Sequence, residues 1–111
     1  MNPSIVKIDC SLIADRDTFH NVFKDAFGFP EFYGRNMDAW IDCLTSLDED
    51  DGMRIITIQP GQVLTIQLEN YKDFKARCPA LLDDIIECSA FVNWRRIETG
   101  EPSVLALSFH D

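Results

Sequence analysis

Basic side chains are scarce in this 111-residue chain, where 10 Lys and Arg stand against 19 Asp and Glu for a formal charge of −9. Contact with nucleic acid needs a cationic patch to neutralise phosphates, so this balance argues against RNA or DNA as a direct partner. Long apolar runs are missing too. No stretch approaches the roughly 18 apolar residues of a membrane span. Residues 1–10 contain neither an apolar run of seven nor a small-residue cleavage site, which predicts a cytoplasmic protein without a targeting segment. Histidine occurs only at His20 and His110, and Cys10, Cys43, Cys78 and Cys88 form no CxxC pair. These spacings build neither a zinc site nor a disulfide framework, and favour four buried, reduced thiols acting as small hydrophobes. No nucleophile and base arrangement stands out, so the sequence points away from an enzyme and implies no metal or cofactor.

What is present is a core. Hydrophobic residues make up 46% of the chain, with eight Phe, two Trp and two Tyr, enough for one domain spanning residues 1–111. Residues 5–8 read as a short strand. Phe19, Val22, Phe23, Ala26 and Phe27 fall on one face of a helix opened by Asp15 or Asp17 and closed by Gly28. His20, beside Phe19, reads as a surface or boundary residue, whereas Tyr33 and Trp40 read as core aromatics. Asn36 is placed to cap a second helix. Residues 54–58 and 63–68 are β-rich and flank a Pro-Gly turn, as a hairpin or as two separate strands. Asn70 is placed to cap a short helix, Pro79 to open a longer one ending near Thr99, and residues 104–109 form a near-continuous apolar strand. Unbroken apolar runs predict burial on both faces of a sheet. The expected fold is α/β, a small parallel sheet of three strands, or one more, packed by about four helices.

The second helix carries the chemistry. On a wheel at about 100° per residue, Ala39, Trp40, Cys43, Leu44 and Leu47 share one side, while Asp38, Asp42 and Thr45 share the other. Like charges four residues apart weaken a helix, and neither aspartate is followed by Lys or Arg one turn later. Asp38 suits the first helical turn, where unpaired N–H groups favour a carboxylate, and Thr45 suits a back-bonded hydroxyl. Asp42 has no such local explanation. Residues 36–53 hold six acids, Asp38, Asp42, Asp48, Glu49, Asp50 and Asp51, and no base. The loop acids read as a solvated turn by themselves, and they lack the ligand order of an EF-hand.

Residues 30–45, PEFYGRNMDAWIDCLT, closely resemble the signature of the barstar family of ribonuclease inhibitors. The resemblance implies a barstar-like, three-stranded parallel sheet packed by helices, no catalysis, and a heterodimer with a basic secreted or toxin-type ribonuclease, as in an immunity protein. By motif position, Asp42 would be the principal mimic of substrate phosphate, with Asp38 and Thr45 beside it. Asn36 and Phe32 fall at further contact positions, Phe32 replacing a tyrosine. Ile41, Ser46 and Leu47 differ from the family pattern along the apolar rim of the contact surface, which implies a different cognate enzyme. Residues 54–62 look like an added segment, and Arg95 falls, by an ungapped count, where the family has a contacting glutamate. The same acidic helix would also suit a basic partner that is not a nuclease.

Overall fold

The computed structural model describes residues 4–111. Met1, Asn2 and Pro3, part of the stretch read for a targeting signal, lie outside the described residues. Three strands, β1 (Ile5–Asp9), β2 (Leu64–Glu69) and β3 (Leu105–Phe109), form a sheet in the order β1-β2-β3. Both pairings are parallel, Ile8 lying opposite Leu68 and Ile66 opposite Leu107. Parallel neighbours need long crossovers. The first carries helices α1 (Arg16–Phe27) and α2 (Met37–Thr45), and the second carries α3 (Tyr71–Arg77) and α4 (Pro79–Glu98). Among the described residues the fold is therefore α/β with three parallel strands and four α-helices, as expected.

The sheet is not buried on both faces, contrary to the reading of its apolar runs. Val6, Ile8, Leu64, Ile66, Leu68 and Leu105 enter the core, while Lys7 and Ala106 are exposed and Thr65 and Gln67 are half-buried. The period-two alternation of a one-sided sheet places them so. On the covered face, Phe19, Phe23 and Phe27 of α1 pack with Trp40 of α2, the Phe23 and Trp40 rings meeting edge to face at 5.6 Å.

Asp15, rather than Asp17, caps α1 through a capping box with Thr18, and Gly28 closes the helix at φ +72°. His20 is buried, contrary to expectation, because its ring Nδ1 lies 2.6 Å from the Tyr33 hydroxyl. Burial, followed by the nearby Arg35 and Arg16 charges, holds the imidazole below its ordinary pKa. That bond ties α1 to the loop leading into α2.

Residues 54–58 form neither a hairpin nor a strand. Both edges of β2 are already taken by β1 and β3. The segment instead spends its donors on helix ends, Ile55 and Ile56 donating to the Phe27 carbonyl and Ile58 to the Leu47 carbonyl. Asn70 does not cap α3 through its side chain; its amide donates to Asp9 at 2.8 Å. Cys10, Cys43 and Cys78 are buried and Cys88 is half-buried. Burial pushes the Cys10 thiol up to about 12 and the Cys43 thiol up to about 11, far from the thiolate that reactive chemistry needs. No helix among the described residues is long and apolar enough to cross a membrane.

Candidate functional site

The nine residues of α2 are too few to hold a helix in isolation. Two features fix it. The Asn36 side chain accepts a hydrogen bond from the Ala39 N–H at 2.8 Å, and Trp40, Cys43 and Leu44 are buried against α1 and the sheet core. Asp38 and Asp42, one turn apart, are left exposed on the outer face. Phe32, on the loop before α2, is 75% exposed.

The remaining predicted contact residues are placed differently. Thr45 Oγ1 donates to the Ile41 carbonyl at 2.7 Å, the back-bonded arrangement. Ser46 Oγ donates to Asp51 at 2.6 Å and accepts from Arg54 at 3.1 Å, so its hydroxyl is engaged inside the molecule. Ile41 is only 7% exposed and Leu47 is fully buried. The apolar rim expected of these two is thus corrected: Leu47 belongs to the core arc that its place on the wheel indicated, and Ile41 lies at the edge of that arc.

Arginines from outside the segment answer three of its six acids. Arg95 of α4 bonds Asp42 Oδ1 at 2.9 Å on the surface. Arg96, nearly buried, grips both Asp48 oxygens at 2.9 and 2.8 Å while also donating to the Thr45 and Pro102 carbonyls. The hydrogen bond from Arg96 holds the Asp48 carboxyl below its ordinary value. Arg54, its side chain fully buried, bonds Asp51 and the Ser46 carbonyl. Asp48 and Asp51 are therefore structural clamps on the end of α2, not members of a solvated acidic turn. Asp38, Glu49 and Asp50 have no ion-pair partner among the described residues.

Beside the Asp42–Arg95 pair lies an open cleft of about 560 Å³, lined by Thr45, Asp48, Glu49, Arg95, Arg96 and Glu101 among others. No three His, Cys, Asp or Glu side chains among the described residues converge as a metal site would require. The arrangement is suited to presenting fixed carboxylates. Arg95 is the residue of this surface that local sequence patterns miss, because it reaches Asp42 across 53 positions of chain.

The family model described as Barstar (barnase inhibitor) matches residues 4–106. A protein of Bacillus subtilis (strain 168) named "Putative ribonuclease inhibitor YrdF" is 31% identical over 71 residues, covering 64% of this chain and 65% of that protein. The chain thus aligns with just under two thirds of the relative's length.

Proposed function

Because this chain belongs to the barstar family, we propose that it is a protein inhibitor of a microbial ribonuclease, whose phosphate-binding centre it blocks with the Asp38–Asp42 face of α2. The observation that carries this reading is the exposure of two carboxylates one turn apart on a helix whose opposite side is locked into the core. An RNA-cleaving enzyme concentrates cations where the phosphate becomes more negative, and those cations stay in place when substrate is absent. Asp42 and Asp38 offer them charge without a bond to cleave. The capped helix is already ordered, so little entropy is lost on binding. By motif position Asn36, Thr45 and Phe32 join this contact surface, and the Phe32 ring is exposed. The protein acts in the cytoplasm, in a heterodimer with a basic secreted or toxin-type enzyme, and has no catalytic role of its own.

The test is inhibition of a panel of small basic ribonucleases by the native protein and by Asp42→Ala. Native inhibition weakened about 30-fold or more in the variant, the loss of about 2 kcal/mol that marks an interface anchor, is expected. No inhibition of any enzyme, with capture of a basic partner that is not a nuclease, would overturn the reading.

A further inference from the structure

With Ile41 and Leu47 in the core, the outer face of α2 has carboxylates, and the loop before it adds a single exposed ring, Phe32, as an apolar anchor. A nine-residue helix is about 14 Å long, whereas a stable interface covers about 800 Å² per partner and centres on buried aromatic or arginine anchors. The neighbouring helix supplies candidates. Leu81, Leu82, Ile85 and Val92 of α4 face the core, yet Phe91 is 45% and Trp94 54% exposed, their rings stacked at 5.5 Å. Ile97, one turn after Trp94, is exposed as well.

This aromatic pair adjoins the acidic face. Phe91 lies three residues after Cys88 and four before Arg95, so the three share one side of α4. Arg95 holds Asp42. At Cys88, where burial raises the thiol pKa, acidic charges including Asp38 add to the effect. The helices α2 and α4 pack directly on one another.

Charge identifies the occupant. The acids of α4 are Asp83, Asp84, Glu87 and Glu98, and its only bases, Arg95 and Arg96, are already bonded to Asp42 and Asp48. Glu87 stands one turn before Phe91, and Glu98 one turn after Trp94, both exposed. A second copy of the chain would bring the same carboxylates against these. An arginine-bearing surface instead satisfies both features, since a guanidinium stacks flat on an aromatic face and reaches a carboxylate with its edge. We propose that Phe91 and Trp94, bracketed by Glu87 and Glu98, form a second docking point, which takes an arginine-presenting patch of the same basic enzyme that α2 engages. This rests on the ribonuclease-inhibitor reading and extends its interface onto α4.

The experiment uses the ribonuclease that the native protein inhibits most strongly in the panel above. Phe91→Ala/Trp94→Ala should raise the inhibition constant about ten-fold or more with an unchanged melting temperature. Glu87→Gln/Glu98→Gln should raise it less, and chiefly at low salt. Undiminished inhibition by the aromatic double variant, while Asp42→Ala still weakens it about 30-fold or more, would overturn the second docking point and leave the α2 reading standing. A native dimer in light scattering that the double variant converts to monomer would assign the patch to self-association and overturn it as well. Failure of the native protein to inhibit any ribonuclease would remove the reading and this inference together.

Discussion

Asp42 and Asp48 are six residues apart, and each is bonded to an arginine of α4, yet their surroundings give them unlike parts. The Asp42–Arg95 pair is solvated, with side chains 59% and 39% exposed, and such pairs are worth about 0–1 kcal/mol. Asp48 and Arg96 are 13% and 5% exposed and bonded through both carboxylate oxygens. Removing Asp48 strands a buried guanidinium. Urea unfolding should therefore show Asp48→Ala destabilised by about 3 kcal/mol or more and Asp42→Ala by less than about 1 kcal/mol; equal losses would show that Asp42 is itself structural. His20 predicts a pH effect. Its pKa is lowered in the folded state from 6.5, so the unfolded chain binds the proton more readily and stability is lost as pH falls below about 6.5. The carboxylates held low, such as Asp48, act only below their unfolded value of 3.8, which separates the two windows. The urea midpoint should fall between pH 7 and 5.5 in the native protein, and should stay flatter in His20→Gln. At this scale the sequence marked the exposed Asp38 and Asp42, the Asn36 cap and the core Trp40. It did not reveal the arginine partners, because pairs 48 and 53 positions apart leave no local pattern.

At the scale of elements, the helix ends were the most legible features, since Asp15, Gly28, Asn36 and Pro79 each carry a local stop or start signal. Residues 54–58 are β-rich yet form no strand, because β-propensity states only that a segment would suit a sheet, not that a strand edge is available. Their true course makes Gly28 a junction. Gly28 has φ +72°, and a Cβ there would lie 2.7 Å from Ile55, where the segment crosses the end of α1. Gly28→Ala should cost about 1–2 kcal/mol from the left-handed conformation alone, with the crowding added, measured as a fall in the unfolding midpoint. An unchanged midpoint would mean that residues 54–56 move aside freely.

For the whole molecule, the formal charge of −9 overstates the acidic site. Residues 36–53 carry six acids, but Arg54, Arg95 and Arg96 fold back onto three of them, leaving 3 − 6 = −3. Arg95 is the one of these arginines on the proposed contact face. It competes with any cation of the partner for Asp42, so Arg95→Ala should speed association with the inhibited ribonuclease, and more so at low ionic strength. Slower association would show instead that Arg95 itself contacts the enzyme. Above all, the acidic face of α2 is proposed to stand where RNA phosphate would. RNA cleavage followed across a range of substrate concentrations tests that directly. Competitive inhibition is expected, with the apparent inhibition constant rising linearly with RNA concentration and kcat restored at saturation, whereas an inhibition constant that RNA leaves unchanged would refute occupancy of the phosphate site.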